Sequence, residues 1–137
     1  MAIGRSPARL SPTQVRQISA DLFPERQKVL AKLVSAFNSR DLDSFGELFL
    51  EGFVAMNSEG AVTADGLPAL LAYLTEAFKQ HPKLQIRVDA SIGVGDLLAH
   101  TEHVFNFADG HSENSIWVYE FSGVKIAKWH GYVAKAS

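Results

Sequence analysis

Residues 97–107 (LLAHTEHVFNF), 115–121 (SIWVYEF) and 124–133 (VKIAKWHGYV) decide the fold. In each run, large apolar or aromatic side chains alternate with polar ones, and a glycine-containing turn bounds each run. Alternation at period two, enriched in β-branched and aromatic residues, is the pattern of half-buried antiparallel strands. Upstream of residue 80 the pattern is mainly helical. Helices followed by a long-stranded sheet predict an α+β domain with helices layered on one face of the sheet. A strongly curved sheet of this kind leaves a chamber under its helices.

The chain has 137 residues, 47% of them hydrophobic, enough for one domain with a sizeable core. Its formal net charge is -2 and it carries no basic stripe, which disfavours a nucleic-acid partner. It has no cysteine, so disulfides, thiolate zinc sites and cysteine nucleophiles are excluded. The first ten residues, MAIGRSPARL, lack the apolar segment of a signal peptide, and no stretch approaches bilayer-spanning length. The expectation is a cytoplasmic protein without a membrane partner.

Residues 1–10 read as a disordered arm and 11–137 as a single domain. Ser11-Pro12-Thr13-Gln14 has capping-box spacing and opens a helix over 11–23, which Pro24 ends or hands on. Val29, Leu30, Leu33, Val34 and Phe37 form the stripe of the next helix. Asp41 caps a shorter one ending at Gly52, with Phe45, Leu48 and Phe49 inward. Residues 53–57 form a strand, Ala61-Val62-Thr63 its short partner, and a fourth helix runs from Asp65-Gly66-Leu67-Pro68 to Pro82. Leu84 to Ile92 alternates as a strand, and Gly93-Val94-Gly95-Asp96 reads as a hairpin turn.

This order resembles the nuclear-transport-factor-2-like superfamily, and within it the SnoaL-like, steroid-isomerase-like branch. The resemblance rests on Ala36-Phe37-Asn38-Ser39-Arg40-Asp41-Leu42-Asp43 with Leu48-Phe49, on residues 66–74 (GLPALLAYL), and on Val118-Tyr119-Glu120-Phe121 with Val124-Lys125-Ile126 and an aromatic last strand. It covers roughly residues 25–133. It implies a cone-shaped fold whose curved antiparallel sheet carries three to four helices on its concave side. It also implies a pocket for a small molecule and frequent dimerisation through the sheet's outer face. No cofactor follows from it.

Two catalytic sets of the resembled family are missing here residue by residue. The oxyanion tyrosine of steroid isomerases falls on Leu33, their general-base aspartate on Asn57, and their second oxyanion donor on Trp117. Leu33 cannot donate and Asn57 cannot take a proton. The arginine and first aspartate of limonene-type epoxide hydrolases fall on His103 and Phe105. Their second aspartate falls on Gly131 and their tyrosine on Ala55, so only the asparagine, Asn57, is retained.

Strand parity then sorts the candidates, subject to bulges. It points Thr101, His103, Phe105 and Phe107 into the chamber, together with Trp117, Tyr119, Phe121, Trp129, Gly131 and Val133. His103 is read as an acid–base group or as a core-edge histidine bonded to a neighbour. Asn57 either orients a ligand or caps the turn at 58–60. Trp117, Tyr119, Trp129, Phe105 and Leu33 are read as ligand-binding walls or as core filling. Gly131 reads as deepening the pocket. His100 and Glu102 share one strand face and His103 the other, so the His100-Thr101-Glu102-His103 run predicts no metal site. His100, Glu102, Val104, Ile116, Val118, Lys128, His130 and Tyr132 are expected on the outer face, apolar enough there to favour a homodimer.

The sequence reading therefore gives a pocket protein for a small, largely apolar molecule with a polar handle, with isomerase, cyclase or hydrolase chemistry open to it. Two rivals remain. One is a non-catalytic dimerisation domain whose pocket is collapsed around Trp117, Trp129 and Phe105. The other is an accessory domain that docks a partner through residues 11–23.

Overall fold

The structure, a computed structural model, describes the backbone of residues 12–136 and the side chains of residues 22–134. The arm expected at 1–10 and the cap at Ser11 lie outside the described residues. Three helices and six strands follow in the order α1 (Pro12–Ser39), α2 (Leu42–Gly46), β1 (Phe49–Met56), β2 (Val62–Asp65), α3 (Leu67–Gln80), β3 (Gln85–Val94), β4 (Leu97–Phe105), β5 (Ser112–Ser122) and β6 (Lys125–Ala136). The strands form one curved, unclosed sheet in the order β2-β1-β6-β5-β4-β3. All neighbours pair antiparallel except β1 and β6, which run parallel. The domain is α+β, with the long strands where the alternation placed them.

Three local readings are corrected. Helix α1 runs through Pro24 rather than breaking there. A proline inside a helix loses one backbone hydrogen bond, a cost of about 3 kcal/mol that tertiary contacts must offset. Those contacts flank it. The Phe23 ring lies so close over Gly93 that an added Cβ would sit 2.4 Å from Phe23 Cδ1. Arg26, buried to 3% exposure, donates to the carbonyls of Gly123 (3.0 Å) and Gly95 (3.2 Å) and to Asp96 Oδ1 (3.0 Å). One guanidinium thus ties α1 to the β3–β4 and β5–β6 turns. Gly93, read as part of a turn, instead lies in β3, where its missing side chain admits the Phe23 ring.

The third correction concerns Gly52. It does not end a helix; α2 stops at Gly46 and Gly52 lies in β1. The four-residue spacing of Phe45, Phe49 and Phe53 imitates a helical stripe. It arises instead because α2 turns into β1, and because the β1–β6 register shifts between Phe49 and Val54. The three rings still pack together, with centroids 5.0 and 4.8 Å apart.

Other local readings hold. Asp41 caps α2, accepting from Ser44 N (3.1 Å) and Ser44 Oγ (2.7 Å). Ser44's hydroxyl, then its N–H, hold the Asp41 carboxyl below its ordinary pKa. Asn38 in the same motif pins α1 to β3 as a strand would. Its Nδ2 donates to Ile86 O (3.0 Å) and its Oδ1 accepts from Ile86 N (2.9 Å). The core between helices and sheet holds Phe45, Phe53, Leu98, Tyr119 and Ile126, each at most 1% exposed.

Replacing Arg26 by alanine leaves two inward carbonyls without a donor. The expected loss is about 2 kcal/mol of folding stability, with Arg26→Lys recovering only part of it. Urea denaturation checks this through a lowered midpoint at unchanged slope.

Candidate functional site

The concave face and the helices enclose a cavity of about 350 Å³. Helix α1 contributes Leu33 and Phe37, α2 Phe45, and α3 Leu70, Leu74 and Ala77. The sheet contributes Ile86, Glu102, Val104, Trp117, Tyr119, Trp129 and Val133, and the β4–β5 loop adds Phe107. Tyr73, Glu76 and Gln80 line it from the exposed side of α3.

Register fixes which side chains enter. Strands β4 and β5 pair Leu98 with Tyr119, His100 with Trp117, and Glu102 with Ser115. Directly opposed residues of an antiparallel pair share a face. With Trp117 and Tyr119 inside, His100 and Glu102 must also be inside. Both are buried, at 2% and 7% exposure.

This inverts the parity read from the sequence for β4. Thr101 is exposed. His103 lies on the outer face with its ring against Asn114 Oδ1 (Nδ1···Oδ1 2.8 Å) and stacked on Phe105. Neither His103 nor Phe105 lines the cavity. Val104, placed outside by the sequence reading, lines it. The cause is Asn106, which adopts φ 65° directly after β4 ends at Phe105. That left-handed residue breaks the alternation, so Phe107 returns to the cavity while Phe105 stays outside.

Asn57 is corrected as well. Its Oδ1 accepts from Glu59 N and Ala61 N, both at 3.0 Å, and closes the β1–β2 turn away from the cavity. Of its two open readings, the turn cap is the one realised. Gly131 does not deepen the pocket. Trp117, opposite it on β5, fills the space, and an added Cβ on Gly131 would sit 2.1 Å from Trp117 Cζ3. Leu33, Trp117, Tyr119 and Trp129 line the cavity. The Trp117 and Trp129 ring centroids lie 5.0 Å apart at 59°, and Tyr119 meets Trp129 edge-on at 87°.

The polar centre that the sequence reading missed is His100 with Glu102. His100 Nε2 lies 2.9 Å from Glu102 Oε2 and 3.2 Å from the Tyr119 hydroxyl. His100 Nδ1 is buried without a hydrogen-bond partner. That vacancy favours a ring whose proton sits on Nε2. An N–H at Nδ1, in the other neutral tautomer or in the imidazolium, would bury an unsatisfied donor at roughly 1–3 kcal/mol. A neutral ring protonated on Nε2 donates to Glu102, shares that proton with Tyr119, and leaves only a lone pair at Nδ1. In that arrangement His100 is the group that donates to Glu102. The signal for it was present in the sequence: His100 and Glu102 lie two apart on one strand face.

Neighbouring groups brace this centre. Trp117 Nε1 donates to Ser115 Oγ (2.9 Å), which donates to the Glu102 carbonyl (3.2 Å). Burial, and secondarily the Glu102 charge, push the Tyr119 hydroxyl well above the ordinary tyrosine pKa. At the rim, His81 Nδ1 accepts from Ala108 N (3.0 Å), and the Phe107 ring stacks on His111 at 4.0 Å. Among the described residues, no group of three or more His, Asp or Glu side chains is placed to hold a metal ion. Among them, too, no helix is long and apolar enough to cross a membrane.

A sheet wrapped around such a cavity, under helices that close one side, is the architecture of the cystatin-like, nuclear-transport-factor-2-like class. The family model of the SnoaL-like domain matches residues 30–129, and the chain belongs to that family. Among solved structures it is similar to a cystatin-fold protein from Novosphingobium aromaticivorans, at 21% identity and a TM-score of 0.71, covering 77% of this chain and 96% of that one. A provisionally assigned polyketide cyclase from Sinorhizobium meliloti shows 20% identity and a TM-score of 0.67, covering 76% and 93%. A provisionally assigned ketosteroid isomerase from Kribbella flavida shows 15% identity and a TM-score of 0.70, covering 83% and 81%. None of the curated proteins matches the sequence. At these identities the structural likeness shows the fold alone.

The raised Tyr119 pKa makes a signed prediction. Above about pH 10 the unfolded chain releases this proton while the folded one retains it, so the unfolded state binds fewer protons and stability falls as pH rises. Denaturation midpoints between pH 9 and about pH 11 are expected to fall for the wild type and to fall less for Tyr119→Phe.

Proposed function

We propose that the cavity holds a small, flat, largely apolar molecule whose polar handle donates to Glu102. The observation that carries this reading is a buried carboxyl group on the wall of an aromatic-lined cavity, with one oxygen on His100 and the other without a hydrogen bond among the described residues. Trp117, Tyr119 and Trp129 supply flat apolar walls, and Leu33 and Phe45 close the opposite side. Isomerase, cyclase or hydrolase chemistry would use Glu102 as the proton acceptor, with His100 as the positioning residue that holds the carboxylate. Those two groups take the part that sequence parity gave to His103 and Asn57.

The rival reading, a dimerisation domain, draws support from the outer sheet face. Ile92, Val94, Leu97, Ile116 and Tyr132 are exposed there at 65%, 71%, 45%, 49% and 45%. A face of that kind suits a homodimer, and a dimer is compatible with an occupied cavity. What separates the readings is the cavity: an occupied pocket uses the space of about 350 Å³ beneath Trp117 and Trp129, and a collapsed core does not.

A thermal-shift panel of flat hydrophobic compounds tests the proposal, because a ligand that binds only the folded state raises its melting temperature. At least one compound is expected to do so. Glu102→Gln should weaken that compound's binding by about tenfold, the scale of one charge-assisted hydrogen bond, while His103→Ala leaves it unchanged. A panel that moves nothing, alongside a dimer in sedimentation velocity, would favour the association domain instead.

A further inference from the structure

The cavity has one sign of charge. Among its described lining residues are three carboxylates, Glu76, Glu102 and Glu113, and no lysine or arginine. The described arginines on α1 and just after it are engaged elsewhere. Arg26 holds the turns under the far end of the sheet, and Arg40 donates to the carbonyls of Phe37 (3.0 Å) and Pro82 (2.8 Å). Of the three carboxylates, Glu76 is exposed and Glu113 faces His111 Nε2 at 3.1 Å. Water and that imidazole attend to these two.

Glu102 is different. Its side chain is 8% exposed, and among the described residues its one ion-pair candidate is His100 at 2.9 Å. Among the described residues no lysine or arginine lines the cavity to pair with it. A desolvated carboxylate without a cation is costly, and a cation at its free oxygen would relieve that cost. The rings beside it point the same way. Trp117, Tyr119 and Trp129 line the same wall, and indole and phenol faces attract cations more strongly once water is excluded. An anionic ligand would meet repulsion at Glu102. A neutral one would leave its charge uncompensated.

We propose that the ligand's handle is a cationic nitrogen, a quaternised ring nitrogen or an ammonium on a flat apolar framework, paired with Glu102 and flanked by Trp117 and Trp129. This rests on the reading of the cavity as a ligand chamber.

Three probes of one shape separate the two claims: N-methylquinolinium, whose charge does not titrate, its neutral isostere 1-methylnaphthalene, and the anion 1-naphthoate. Calorimetric titration into the full-length protein is expected to give N-methylquinolinium at least about tenfold tighter binding than 1-methylnaphthalene, with 1-naphthoate weakest. Glu102→Gln should erase the preference for the cation while keeping affinity for the neutral probe. Equal binding of cation and neutral isostere overturns the cation inference and leaves the chamber standing. A cation preference that survives Glu102→Gln overturns the assignment to Glu102. Binding of no probe overturns both. Should Glu102→Gln fail to fold, the ranking of the three probes on the wild type decides alone.

Discussion

The hydrogen bond from His100 to Glu102 is the constraint around which the cavity is organised. A carboxylate on an apolar wall is stable only while something donates to it. His100 does so because the β4 alternation puts both residues on one face and the β4–β5 register turns that face inward. The ring's other nitrogen is left without a hydrogen-bond partner, which favours a proton on Nε2, the nitrogen that faces Glu102. Tyr119 packs edge-on against His100 at 4.9 Å and shares the Nε2 proton, so the centre is held on three sides by β4 and β5.

The walls follow from packing. Trp117 can lie across the neighbouring strand only because residue 131 is glycine, and Trp129 rests on Phe49 and Phe53 beneath. The indoles therefore have rigid backing and their exposed sides toward the cavity. Helix α1 forms the roof through Leu33 and Phe37, and it is held there from both ends. Arg26 fastens it near the turns, and Asn38 fastens it to β3. A pocket of fixed shape is what recognition of a flat molecule requires, since little ordering cost is then left for binding.

The sequence carried the architecture well and the polar centre badly, for one physical reason. Period-two alternation identifies strands and separates their two faces, but not which face is inside. On β5 the aromatic set Trp117, Tyr119 and Phe121 settled that question correctly. On β4 both faces offered a plausible set, His100 with Glu102 or His103 with Phe105 and Phe107, and the reading placed the second inside. Asn106, with its left-handed backbone, takes Phe107 out of phase with Phe105, and nothing in the residue pattern announced it. Local chemistry was more legible: the Asp41 cap and the fourth predicted helix needed no tertiary knowledge. Pro24 and Phe49 misled because tertiary contacts and a register shift overrode local signals there. Family position pointed at Asn57, where the chain had instead built a turn.

The protonation state of His100 tests this account most directly. Nitrogen-15 NMR of the imidazole side chains, at neutral pH and without ligand, distinguishes a ring protonated on Nε2 alone from the opposite tautomer and from the imidazolium. The account predicts a neutral His100 ring with its proton on Nε2 and an unprotonated Nδ1. An imidazolium, or a proton on Nδ1, would contradict it, for the cavity would then hold a neutralised pair rather than a carboxylate awaiting a partner.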